Sequence, residues 1–276
     1  MLKEVEVFGV SYERYVLFQH HRFLAQQLGL QTIVDMPSHG AKAAGSLYAI
    51  GFGHAGCHVT VVNPELKMMA GWKDIGLENR VDAVKIEDIY HTGFADNSFD
   101  LAYNFVTWTE LADPPRYLQE MRRISGKYVL LVTCNNFQLG YLWHRFLHGW
   151  FGFPWTHGQV KYNYITTVKK LFKASGLDVM EYGTIDTPCW PDHTGPRDVR
   201  LHRRFGSKGQ EMPKTSPQWE VPFLEYVRNG KYPGWMKLLG KWDMLFRRGV
   251  YKLPGSHLFY VLGQKRMFKN MVHQDR

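Results

Sequence analysis

The sequence predicts an α/β fold in which a mostly parallel sheet is covered by helices on both faces. Two observations carry this. Short runs such as HVTVV at 58–62 and KYVLLVT at 127–133 are apolar almost throughout, without the alternation of a strand that has one wet face. They also alternate with stretches of helical pattern, the order expected of β-α-β units joined into a parallel sheet.

The elements follow in order. Residues 12–28 read as an N-terminal helix that could close over a ligand, with His20 and His21 expected on its solvated side. TIVDMP at 32–37 is a first strand, stopped by Ser38-His39-Gly40. Residues 41–51, rich in Ala and Leu, predict a helix. Residues 58–64 are the second strand, 81–86 the third, and 99–103 open the fourth. PPRYLQEMRR at 114–123 has Pro at its start and apolar Tyr117, Leu118 and Met121, as an amphipathic helix should. Residues 127–133, 177–185 and 257–263 complete the strands.

Between the third and fourth strands stands DIYHTGFADNSFD, residues 88–100. Asp88 is followed by Gly93-Phe94, the turn Ala95-Asp96-Asn97-Ser98, and Phe99-Asp100 opening the next strand. This resembles the "D…LPF-x-DxSFD" signature of class I S-adenosylmethionine-dependent methyltransferases of the type 11 kind. The resemblance covers roughly residues 12–186 plus the last strand. It implies a Rossmann-like seven-stranded sheet, S-adenosylmethionine as cofactor, and methyl transfer as the activity. It also implies that Asp88 accepts from the adenine amine, a task suited to an acceptor-only carboxylate, with Ile89 beside it. Asp35, Pro37, Ser38 and Gly40 would line the cofactor's methionine part, and Asn63 would face the ribose hydroxyls. Asn104 and Phe105 would stand at the junction of cofactor and acceptor.

The first loop departs from the family pattern. Asp/Glu-x-Gly-x-Gly-x-Gly is usual there, because the backbone must pass close to the cofactor. Here Asp35 is followed by Met36-Pro37-Ser38-His39-Gly40, with one glycine, and Asn63 brings no charge to the ribose. A non-catalytic S-adenosylmethionine-binding protein therefore stays open beside the enzyme. GFGHAG at 51–56 fits G-x-G-x-x-G but runs almost directly into the strand at 58–62, leaving no room for a phosphate-binding helix. It reads as the loop after a helix.

At 276 residues and 45% hydrophobic, the chain can bury an α/β core and one accessory piece. No apolar run is long enough to span a bilayer, and MLKEVEVFGV is too charged and short for a secretory signal. Cys57, Cys134 and Cys189 lack metal spacing, so a reducing cytoplasm is expected. Residues 1–136 carry 12 Lys/Arg against 15 Asp/Glu, whereas residues 187–256 carry 13 against 6. The predicted division is a helical cap over 1–31, a cofactor domain over 32–186, a basic, Trp-rich insertion over 187–256, and a last strand with tail over 257–276.

The acceptor side is expected after strand five, above the strand ends. His144 and His148 stand four apart on a predicted helix there, with His157 beyond. As pocket-lining bases they could take a proton near neutral pH, and no HExxH or carboxylate partner marks them as metal ligands. Tyr12 and Tyr15 are secondary candidates. Asn104 is followed by Phe-Val instead of Pro-Pro, so the base-amine motif of DNA methyltransferases is absent. The expected acceptor is a small, apolar or lipid-like molecule. Methylation of RNA or protein through the basic insertion is a second reading, and the non-catalytic binder a third. In the insertion, Trp235, Leu238, Trp242 and Leu245 recur at helical spacing, with Lys237, Lys241 and Arg248 off the stripe. Such a helix packs as a lid on its own domain. With the basic run at 197–208, it could instead seat the protein peripherally on an anionic membrane.

Overall fold

The run Thr32–Asp35 (β2) lies inside a seven-stranded sheet, since Ile33 and Val34 point to opposite faces and both are fully buried. The computed structural model describes residues 3–6, 8–39, 44–152, 158–188 and 218–266. On one side of β2 run β3 (His58–Val62) and β4 (Val81–Val84). On the other run β5 (Phe99–Phe105), β6 (Ser125–Cys134), β9 (Leu258–Lys265) and β7 (Leu177–Ile185), giving the order β4-β3-β2-β5-β6-β9-β7. All neighbours are parallel except at β9, which runs antiparallel between β6 and β7. The expected Rossmann-like, mostly parallel seven-stranded sheet is present. Its strand order reverses between β2 and β5, and the crevice beyond their carboxyl ends is where open α/β sheets take ligands.

The flanking helices are amphipathic where the sequence predicts it. Helix α4 (Pro114–Ile124) is capped by Asp113, whose carboxylate accepts from Arg116 N at 3.1 Å, and it buries Tyr117, Leu118 and Met121. Helix α6 (Ile165–Ala174) buries Ile165, Val168 and Phe172. Helix α5 (Leu139–Phe151) follows β6 and is capped by Gln138, whose side chain accepts from Tyr141 N at 2.8 Å.

Three expectations need correction. The N-terminal helix, α1 (Phe8–Leu28), is core and has no wet face at His20-His21: both histidines are buried. The reason is that α1 is covered twice. It packs on α2 (Ile50–His54) and the sheet on one side, and on α7 (Pro222–Asn229) and α8 (Gly234–Met244) of the insertion on the other. Strand β1 (Lys3–Val5) likewise pairs with β8 (Gln218–Glu220) of the insertion. Second, the helix expected over 41–51 is a 3-10 turn, Gly45–Leu47, followed by the five-residue α2, with 40–43 outside the described residues.

Third, Gly51 and Gly53 stand inside α2 instead of in a loop after it. They permit close packing: a Cβ on Gly51 would fall 2.8 Å from the Phe18 carbonyl oxygen, and one on Gly53 2.7 Å from the Trp72 ring. The phosphate-loop pattern is thus a packing requirement. Helix α3 (Met69–Asp74), which carries Trp72, closes the same layer. The basic run at 197–208 lies outside the described residues.

Candidate functional site

At the carboxyl end of β2 the backbone runs from Asp35 into a cis Met36-Pro37 bond and on to Ser38. The loop is wired from several sides. Met36 N donates to Tyr103 O at 3.1 Å and Ser38 N to Val62 O at 2.8 Å. The Tyr117 hydroxyl donates to the Met36 carbonyl. The Asn104 amide donates to Met36 O (2.8 Å) and Thr107 Oγ1 (2.7 Å), and its oxygen accepts from Trp108 N at 3.0 Å. Asn104, the predicted junction residue, is fully buried and fastens the Met36-Pro37 loop from behind.

Asp35 is buried in this loop, and burial pushes its carboxyl well above the usual carboxylate range, with no described donor opposing the shift. A carboxylate so placed lacks a cation. Asp88, by contrast, is exposed at the far side of the crevice. Its Oδ1 accepts from Tyr90 N at 2.8 Å, which fixes the side chain, and Ile89 beside it is half-buried. These residues fit a ligand with an ammonium at one end and a donor-bearing heterocycle at the other.

Asn63 has both side-chain amide atoms engaged by backbone. Its amide nitrogen donates to Ile86 O at 2.9 Å and its oxygen accepts from Ile86 N at 2.8 Å, so the side chain clamps β3 to the strand beyond it. Its backbone carbonyl is met by His39 Nδ1 at 2.8 Å. An acid stands two residues on. Glu65 is half-buried, its carboxyl raised by burial while His39 and Arg14 pull it down, and its backbone N donates to Ser46 Oγ at 2.9 Å. A reading fixed on the residue ending the strand passes over it. Gly40 lies outside the described residues.

Over the end of β5, Phe105 stacks on Tyr48 with ring centroids 3.9 Å apart. Tyr48 donates to Glu13 Oε1 at 2.6 Å, and the Arg14 guanidinium lies 4.1 Å from the Tyr48 ring centroid while its Nε meets Glu6 at 2.8 Å. The next residue, Val106, has φ 52°, a left-handed conformation that costs a β-branched residue of order 1–3 kcal/mol. Strain of this kind concentrates where a fold positions ligands.

Of the predicted histidines, His144 is half-buried and His148 buried on α5, with rings 4.6 Å apart; His157 lies outside the described residues. Among the described residues no three His, Cys, Asp or Glu side chains are grouped to hold a metal. A buried cluster that sequence reading missed lies between α1 and α8. The Tyr12 hydroxyl donates to Asp243 Oδ2 at 3.1 Å, as does Thr187 N at 2.7 Å, and Asp243 is pushed up to about 6 by burial and by Asp186 nearby.

Residues 43–130 match the family described as a methyltransferase domain, a span that includes Asn63, Asp88, Ile89, Asn104 and Phe105. No curated protein matches the chain. Among solved structures, a "possible histamine N-methyltransferase" from Thermotoga maritima is 14% identical, with 92% of each chain covered and a TM-score of 0.51. The [4+2]-cyclase SpnF is 12% identical, with 91% of this chain and 81% of that one covered and a TM-score of 0.50. Both likenesses are of fold. With the strand order they show a methyltransferase-like fold, within which residues 43–130 match the methyltransferase-domain family.

Proposed function

We propose that the chain transfers the methyl group of S-adenosylmethionine to a small, apolar or lipid-like acceptor. The observation that carries this reading is the outer face of α5, which follows β6 at the carboxyl edge of the sheet and leaves Leu142, Trp143, Phe146 and Trp150 exposed. Such a wall offers stacking and apolar contact where a polar acceptor would need paired donors and acceptors. The basic run that would favour RNA lies outside the described residues.

Bound S-adenosylmethionine supplies an electrophilic methyl group, so the chain's own work is to orient and to exclude water. Asp35 is assigned the cofactor's ammonium, Asp88 the adenine amine, and Glu65, in place of Asn63, the ribose hydroxyls. Pro37 and Ser38 shape the loop between them. His144, with His148 behind it, is assigned to the acceptor side as the group that takes a proton from a hydroxyl or ammonium acceptor.

Two outcomes follow. Asp88→Ala weakens cofactor binding by about 1 kcal/mol, the low end for a lost hydrogen bond because the side chain is half exposed; titration calorimetry measures it. His144→Ala slows turnover about a hundredfold at unchanged cofactor affinity; full turnover removes the histidine from the chemistry. The function itself is tested by incubating the protein and methyl-labelled cofactor with lipid extract, RNA and protein fractions. Label in the organic phase supports the reading. Label in RNA or protein refutes it, and cofactor binding without label in any fraction favours the non-catalytic alternative.

A further inference from the structure

We propose that the carboxyl edge of the sheet carries a docking surface for an anionic lipid bilayer, built from α8 with the loop after it and from α5. It deepens the apolar-acceptor reading and rests on that reading for the delivery of acceptor, though not for the docking itself.

The sequence alone left open whether the stripe on α8 packs inward or faces out. Its inward face is a different one. Met236, Gly240 and Asp243, spaced four and three, are the buried positions. Gly240 lets α8 press on α1, since a Cβ there would fall 2.6 Å from the Tyr15 ring. Asp243 ties the helix to Tyr12 and Thr187, and Lys252 Nζ donates to the Trp242 and Asp243 carbonyls at 3.2 and 2.6 Å, closing the helix end. With that face fixed, Leu238 and Trp242 are left 70% and 51% exposed, and Phe246 just beyond is 70% exposed.

A second apolar face adjoins the same edge of the sheet. Helix α5 begins five residues after β6 ends, and α8 is tied to Thr187, two residues past the end of β7, which runs parallel to β6. On α5, Trp143, Phe146 and Trp150 are exposed with neighbouring rings 5.4 and 5.8 Å apart.

The charge around these faces selects the occupant. Within residues 230–252, Lys231, Lys237, Lys241 and Arg248 are exposed, whereas Arg247 and the single acid, Asp243, are buried; residues 139–152 contain Arg145 and no acid. A second copy of this chain would set like charges against each other. An anionic bilayer takes up the apolar side chains and answers the bases together.

The test is co-sedimentation of the full chain with vesicles of phosphatidylcholine alone and with about a third phosphatidylglycerol, at low and high salt, beside calorimetry with S-adenosylmethionine. Binding to the anionic vesicles that falls as salt rises is expected. Roughly tenfold weaker binding is expected for Lys237→Glu/Lys241→Glu, for Leu238→Ala/Trp242→Ala and for Trp143→Ala/Trp150→Ala, each with parental cofactor affinity. The charge pair is exposed, so its result does not depend on the Trp variants folding. No pelleting at low salt overturns the proposal, as does equal binding by the charge-reversed variant. So does a dimer in sedimentation velocity that Trp242→Ala dissolves, which would give the surface to a second copy. Vesicle binding without methylation of any lipid supports docking and removes the lipid-acceptor reading, so the two fail separately.

Discussion

Asp35→Asn is expected to weaken S-adenosylmethionine binding by about 30-fold or more while raising the melting temperature. The two effects have one cause. Asp35 is buried without a described donor, and burial holds its carboxyl well above the usual range. An ammonium placed against it supplies the missing charge, and removing one partner of such a buried pair costs about 2–5 kcal/mol of binding. In the free protein the same carboxylate is a burden. A carboxyl with a raised folded-state pKa contributes stability below the unfolded value of about 4, and that stability is lost as pH rises through the folded value. The Asn variant avoids that loss, so its advantage is absent in acid and grows toward neutral pH.

Binding must also release a proton from Asp35 wherever pH lies below its raised pKa. Affinity should therefore climb about tenfold per pH unit there and level off above. Calorimetry in buffers of different ionisation enthalpy counts that proton. Parental affinity in Asp35→Asn, or binding with no proton released at any pH below neutral, would take Asp35 out of the cofactor site.

The central sheet was legible in the sequence because its strands are apolar on both faces and because the Asp88 to Asp100 stretch fixes a strand-turn-strand spacing. Residues 177–185 and 114–123 became β7 and α4 almost to the residue. What was not legible follows from partners distant in sequence. The polarity of His20-His21 suggests water, yet their rings lie against Tyr260 of β9, Phe52 of α2 and Tyr103 of β5, partners set well along the chain. Asn104 and Asn63 stand at the positions where ligand contacts are expected, yet their amides bond to backbone, at Met36 for Asn104 and Ile86 for Asn63. A sequence gives a side chain's place on a strand but not its rotamer.

The α8 helix shows the same limit with a clue left in the letters. The Trp235, Leu238, Trp242, Leu245 stripe is the more hydrophobic face, so hydrophobicity alone would bury it. The buried face carries Gly240 and Asp243, a small residue for close approach and a lone acid in a basic segment. Each is costly in a solvated helix and makes sense only against a partner. Weighing what a residue needs, beyond how apolar it is, would have selected that face.

Replacing His20 or His21 by Leu is expected to make the protein resistant to acid. Neither ring nitrogen of His20 has a hydrogen-bond partner among the described residues; its ring lies 4.5 Å from Tyr260, and burial, then Arg247 and His21, holds its pKa well below the usual value. His21 stacks on Phe52 at 4.2 Å with Tyr103 edge-on at 4.8 Å, and burial lowers it to about 3 against an opposing backbone contact at Tyr48. Both are neutral in the folded protein and take up a proton on unfolding once pH falls below about 6.5. A lowered folded-state pKa thus withdraws stability as pH falls, at about 1.4 kcal/mol per pH unit for each histidine. For His21, lowered to about 3, that amounts to about 3 kcal/mol between pH 6.5 and 4, a large part of the 5–15 kcal/mol that holds a typical domain. Asp35 and Asp243 act in the opposite sense over the same range, because their raised carboxyls hold protons that unfolding releases. The parent's stability should therefore fall less steeply above about pH 4 than the histidines alone would impose, and more steeply below, where the carboxyl contribution ends and the histidine contribution continues. Each Leu variant should gain on the parent by about 1.4 kcal/mol per unit as pH drops from 6.5. Urea unfolding at a series of pH values reads both slopes, and a variant whose stability runs parallel to the parent's from pH 6.5 to 4 would show that the histidine titrates in the folded state.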